Sequence, residues 1–198
     1  MFQNFSFDGF NVIHIDWILP FQNETFQSYA FRISENMNDE NAILIGLSFG
    51  GMLSVEISKI KKFKKIFLLS SAKTKSEIPL YYRVLGKLNL LEIIPVSFLK
   101  SVNFLTYLVF GAKTNSEKNL LKDIVKNTES SFMKWALHQI INWKNKDFDR
   151  NIVHIQGNRD LILPHYFVKF DYLIDGGTHF MTLNQSKKIE QIILDNLV

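Results

Sequence analysis

The pentapeptide Gly46-Leu47-Ser48-Phe49-Gly50 holds a serine between two glycines, after the apolar, strand-like run Ala42 to Ile45 and before a helix-like segment that begins at Gly51-Met52. On a tight strand-to-helix turn a serine is held in a strained backbone conformation, and small residues two positions before and after it let strand and helix approach closely. Such a turn lifts the hydroxyl out of the backbone. It also aims the first helical N–H groups, that of Phe49 included, at whatever the serine attacks. The pentapeptide therefore reads as a nucleophile elbow. An isolated G-x-S-x-G would equally describe a flexible turn; the strand-like and helix-like flanks argue against that reading.

A hydroxyl nucleophile needs a base to take its proton and a carboxylate to orient that base. Asn151 to Ile155 is strand-like and runs into Gln156-Gly157-Asn158-Arg159-Asp160, followed by Leu161-Ile162-Leu163-Pro164, so Asp160 falls in the loop beyond a strand's carboxyl end. A second strand-like run, Tyr172-Leu173-Ile174, breaks at Gly176-Gly177 and delivers Thr178-His179-Phe180 into the next loop. His179 can thus reach the same sheet edge.

At these residues the chain resembles the α/β-hydrolase superfamily, whose nucleophile, acid and histidine follow in that chain order. Three matches carry the resemblance: the elbow Gly46 to Gly51, the acid loop Gly157-Asn158-Arg159-Asp160 with Pro164 four residues on, and the histidine loop Gly176-Gly177-Thr178-His179-Phe180. Nearly the whole chain is covered, and the small single-domain bacterial members are the most similar. The resemblance implies Ser48 as nucleophile, Asp160 as triad acid, His179 as triad base and the Phe49 N–H as an oxyanion donor.

Each role has rivals among the five histidines and the acids. His14 and His154 sit mid-strand between β-branched residues and are expected to pack in the sheet. His138 is expected to be an ordinary residue of the helical stretch Phe132 to Trp143. His165, after Pro164, is the one other histidine placed near the site. Asp171 and Asp175 read as turn residues, and Asp16, at a strand end, is the substitute acid.

Coarsely, strands and helices alternate: Phe10 to Trp17 strand, Thr25 to Glu35 helix, Ala42 to Ile45 strand, Gly51 to Lys61 helix, Lys65 to Ser70 strand. Alternation argues for an α/β fold, a mostly parallel sheet with flanking helices. From about Lys73 to Arg150 the rhythm gives way to a helix-like segment with breaks at Pro79, Pro95 and Gly111. The expected organisation is a core of residues 1–72 and 151–198 with a helical lid insertion, 73–150, in the same domain. Leu80-Tyr81-Tyr82, Phe98-Leu99 and Phe104 to Phe110 supply large apolar side chains there. Most are expected to pack lid helices on the sheet, and any that line a cavity favour an apolar acyl group. Phe98 to Phe110 could alternatively lie against a membrane surface.

The resemblance also implies a strand ahead of Phe10 to Trp17, whose exit loop gives a second oxyanion N–H. The residues before Phe10 read as a loop or short helix with Gly9 as their glycine, so the fold is expected to be N-terminally short. The preferred expectation is that the natural protein carries roughly 15 further residues, the length of one strand and its loop. The other is a short chain with Phe49 as its visible oxyanion donor, inactive or weakly active.

Composition excludes several classes. At 198 residues and 46% hydrophobic with 18 Phe, the chain can bury one sizeable core and is not disordered. Without cysteine it has no disulfide, thiolate metal site or cysteine nucleophile. The start lacks a signal-peptide pattern, and no apolar stretch reaches about 18 residues; a cytoplasmic protein without stable membrane insertion is expected. The net charge of +4 is modest. Lys59, Lys61, Lys62, Lys64 and Lys65 read as a solvated helix end, with no nucleic-acid module, metal motif or phosphate loop. No cofactor is called for. The resemblance thus implies a serine hydrolase for a small-molecule ester or thioester with an apolar acyl group. The alternatives are a non-catalytic protein of this fold that binds a ligand or partner, and other chemistry on the same scaffold.

Overall fold

The computed structural model describes residues 1–88 and 94–197. Among them one 4-stranded parallel sheet runs in the order β1 (Ile43–Leu47), β2 (Lys65–Leu69), β3 (Ile152–Gly157), β4 (Tyr172–Ile174). Because parallel sheets are covered on both faces, their strands read as apolar runs. On one face Ile66, Leu68 and Ile152 pack with Phe26 and Tyr29 of α1 (Phe26–Ile33) and with Met52, Leu53, Val55 and Ile57 of α2 (Phe49–Ser58). On the other, Phe67, Leu69, Val153 and Ile155 meet Met181 of α8 (Met181–Asn184) and Ile189 and Ile193 of α9 (Ser186–Asp195). α1 starts where Thr25 Oγ1 accepts the Ser28 N–H at 3.1 Å, an N-cap that satisfies an otherwise orphaned donor. α2 is buried along Gly51 to Ile57. Its mostly apolar character, interrupted by the buried Glu56 that Trp143 and Lys59 satisfy, suits a helix enclosed by the sheet and its neighbours.

Between β2 and β3 come α3 (Leu80–Lys87), α4 (Val96–Leu99), α5 (Phe104–Phe110), α6 (Asn115–Asn127) and α7 (Ser130–Ile141). Residues 89–93 of the expected insertion lie outside the described residues. Capping boxes start α5 (Asn103 with Thr106) and α6 (Thr114 with Glu117), and Gly111 ends α5 at φ 75°. α7 gives Phe132 and Ala136 to the core shared with α1 and α2. The packing expected of Phe104 to Phe110 holds only in part for α5: Tyr107 and Phe110 lie against the cluster of Leu121, Phe180 and Leu183, while no residue of the helix is fully buried and Phe104 is 80% exposed.

Two sequence readings need correction. α2 begins at Phe49 and ends at Ser58, earlier at both ends than the expected Gly51 to Lys61. More consequentially, Phe10 to Trp17 is not a strand. No residue of it enters a ladder, and Ile13 is 76% exposed. Alternating apolar residues supply a face, but a strand also needs a neighbouring backbone to take its hydrogen bonds. Here the segment runs outside the sheet, and β1 is an edge strand among the described residues. The residues before it form a loop, as expected. Phe2, Phe5 and Phe7 pack on the α9 side of the sheet, and Glu190 Oε1 accepts the N–H groups of Ser6 and Phe7 at 3.0 and 2.6 Å.

Candidate active site

Ser48 stands at the carboxyl end of β1 with φ 53° and ψ −119°, a conformation that L-residues adopt only under constraint. The constraint is visible on both sides of the residue. Its N–H donates to Leu69 O on β2 (2.9 Å), while its carbonyl accepts the Ser71 hydroxyl (2.7 Å) and the Gly51 and Met52 N–H groups (3.0 and 3.2 Å). Gly46 lets the helix fold back: a Cβ there would sit 2.5 Å from Gly50 O and from Ser54 Oγ. Gly50, by contrast, has room, its nearest such neighbour being Trp17 at 3.7 Å. The requirement for a small residue therefore falls at Gly46 and, after the serine, at Gly51, where a Cβ would clash with the Ser71 side chain, and not at the second glycine of the pentapeptide.

The parallel register brings three loops to the edge where Ser48 sits. Asp160 leaves the end of β3 and His179 the end of β4, and the loops touch backbone to backbone. Arg159 N–H donates to Gly177 O at 2.8 Å, and a Cβ on Gly157 would meet that oxygen at 2.3 Å. The structure brings the three sequence-selected residues together. Ser48 Oγ–H donates to His179 Nε2 at 2.9 Å, and His179 Nδ1–H donates to Asp160 Oδ2 at 2.8 Å. This tautomer follows from the partners, a carboxylate at one ring nitrogen and a hydroxyl at the other. Both Asp160 and His179 are buried. Asp160 Oδ1 accepts the Ile162 and Leu163 N–H groups, each at 2.9 Å, and Oδ2 also accepts Gln156 Nε2–H at 3.3 Å.

Phe49, selected for its N–H, is the first residue of α2, so that N–H lies outside the intrahelical ladder. Its ring stacks on Phe26 at 5.1 Å between centroids. From α5, the Phe110 ring meets the His179 ring edge-on at 5.7 Å, and Gly111 lies against Thr178. Burial pushes the Tyr82 phenol up to about 12, with the charges of Tyr81 and Asp160 adding to it, so it stays protonated.

Among the described residues none of the rivals is hydrogen-bonded to Ser48 or His179. His14 and Asp16 lie on the exposed segment outside the sheet. His138 is in α7, and His165 opens a short 3₁₀ turn with its ring against Tyr166 and Phe170. His154 packs within β3, as expected. Asp175 is a turn residue accepting Asn158 Nδ2–H at 2.7 Å, and Asp171 accepts the His154 backbone N–H at 2.7 Å. Two residues at the site had escaped notice: Ser71, which gave no signal, and Gln156, whose signal was an amide within an otherwise apolar strand. Among the described residues no group of His, Asp and Glu could hold a metal, and no helix is long and apolar enough to cross a membrane.

No family model matches the chain, and no curated protein does. Solved structures do. An esterase from Exiguobacterium antarcticum superposes with a TM-score of 0.58 at 12% identity, over 87% of this chain and 74% of that one. A hydrolase from Oleispira antarctica gives 0.61 at 13%, over 87% and 72%. A meta-cleavage product hydrolase from Pseudomonas fluorescens IP01 gives 0.59 at 12%, over 88% and 72%. At such identities the likeness concerns architecture, and it agrees with the strand order and the strand-to-helix turn at Ser48: this chain has the α/β-hydrolase fold.

Proposed function

We propose that the chain is a serine hydrolase that cleaves a carboxylic ester or thioester through a Ser48 acyl-enzyme. The observation that supports this reading is the continuous hydrogen-bonded line from Ser48 Oγ through His179 to Asp160, with Ser48 held at positive φ. In the first half-reaction Oγ attacks the carbonyl carbon as its proton moves to His179 Nε2. Asp160 holds the imidazole and balances the imidazolium, and the Phe49 N–H receives the developing oxyanion. Collapse expels the alcohol or thiol, which takes the proton from His179. Water then attacks the acyl carbon, giving its proton to His179, and the carboxylic acid leaves as Ser48 Oγ recovers its hydrogen.

The insertion 73–150 is read as a lid over this site, a reading supported by Phe110 and Gly111 lying against His179 and Thr178. The apolar surface of α5 favours an apolar acyl group. The esterase names among the structural neighbours agree with this reaction class. The test is a panel of short- and long-chain p-nitrophenyl esters and acyl thioesters with the unmodified chain, Ser48→Ala and Asp160→Asn. Hydrolysis that vanishes in Ser48→Ala and falls about 10⁴-fold in Asp160→Asn is expected. Turnover that survives Ser48→Ala removes the assignment.

A further inference from the structure

β3 turns two polar side chains, His154 and Gln156, toward the same face as Ile152, and both are 0% exposed. Buried polar groups require partners, and theirs lead to the candidate site. The Gln156 amide nitrogen has two acceptors, Leu163 O at 2.7 Å and Asp160 Oδ2 at 3.3 Å, which occupy both of its hydrogens. Its Oε1 faces His154 Nε2 at 3.2 Å. Since the amide nitrogen must be the donor toward Leu163 and Asp160, Oε1 must accept, and His154 Nε2 must carry a proton. The Gln156 N–H completes the set on the Asp160 carboxylate: two backbone donors on Oδ1, and Gln156 with His179 on Oδ2. Four donors fill the four lone-pair directions of a carboxylate, which leaves its plane no freedom to turn away from His179.

We propose that Gln156 and His154 are positioning residues for the Asp160–His179 pair, with His154 Nε2–H fixing the Gln156 amide and that amide fixing the carboxylate. The inference deepens the proposed triad and rests on it. His154 is itself held in place. Its backbone N–H and carbonyl pair with Asp171 Oδ2 and N–H at 2.7 and 2.8 Å. Without the Nε2–H donor the amide can rotate and present its oxygen to Asp160, so the two residues act in series.

The test compares Gln156→Met, which keeps length and loses both donors, with His154→Leu and His154→Gln; the Gln amide nitrogen can stand in for Nε2. Two readouts are used on protein verified as folded. One is the low-field proton resonance of His179 Nδ1–H, recorded in a Ser48→Ala background so that it does not depend on reactivity. The other is the kinetics of fluorophosphonate labelling at Ser48. The resonance is expected in the parent and in His154→Gln, and lost to exchange in Gln156→Met and His154→Leu. In those two the limiting labelling rate should fall at least about tenfold, as misplacement of a catalytic group does, with the half-saturating probe concentration unchanged. A resonance missing from the parent, or surviving in Gln156→Met and His154→Leu, overturns the proposal. Failure of the parent to label while the resonance behaves as expected would instead remove the hydrolase reading and leave the positioning intact.

Discussion

Acidification should destabilise the protein through His154, and replacing that residue should remove the effect. Burial, reinforced by the positive charge of Lys73, holds the His154 imidazole well below its ordinary 6.5, at about 4; the Lys169 carbonyl, Gln156 and the Asp171 charge oppose this without cancelling it. The unfolded chain therefore binds a proton that the native state refuses between those two values. Stability is complete above about pH 6.5 and is lost as the pH falls toward 4. At about 1.36 kcal/mol per pH unit the whole interval is worth about 3 kcal/mol, and the step from pH 7 to pH 5 about 2 kcal/mol. Urea unfolding of the parent and of His154→Gln at pH 7, 6 and 5 isolates this contribution, because every other titrating group is common to both. The parent should lose about 2 kcal/mol more than the variant over that range. Equal losses would refute a neutral, buried His154.

Three further substitutions probe the scaffold. Gly46→Ala would drive a Cβ to 2.5 Å from Gly50 O and Ser54 Oγ, and thermal unfolding should show a loss at the upper end of about 1–3 kcal/mol, typical of overpacking. Trp143→Phe removes the Nε1–H that donates to the buried Glu56 Oε1 at 2.7 Å; urea unfolding should show a loss of about 1–3 kcal/mol at pH 7. Glu190→Ala releases the acceptor of the Ser6 and Phe7 N–H groups. Limited proteolysis should then cut the first ten residues several-fold faster, with no change in cleavage elsewhere.

Much of this was legible in the residues because local chemistry and tertiary position coincide at the site. The glycine before Ser48 signals a close approach, and each apolar run that ends in Gly-rich sequence is a strand delivering a loop to one edge. Asp160 and His179 accordingly stand out by their placement after strands, together with the chain order that the α/β-hydrolase resemblance implies. Phe10 to Trp17 misled for the opposite reason. Its alternation is genuine, yet pairing depends on a neighbour that no local pattern reveals. Gln156 and His154 look like interruptions of an apolar strand until the Asp160 loop folds over them. Their contacts with Leu163 and Lys169 join backbone atoms of other loops, which spacing along the chain does not encode.

The central claim is that Ser48 is a nucleophile activated by His179 and Asp160. The most direct measurement is intact-protein and peptide mass spectrometry after treatment with a fluorophosphonate. The account predicts a single adduct on the peptide carrying Ser48, absent in Ser48→Ala and formed orders of magnitude more slowly in His179→Ala. No adduct on the parent, or one that persists in Ser48→Ala, would contradict it.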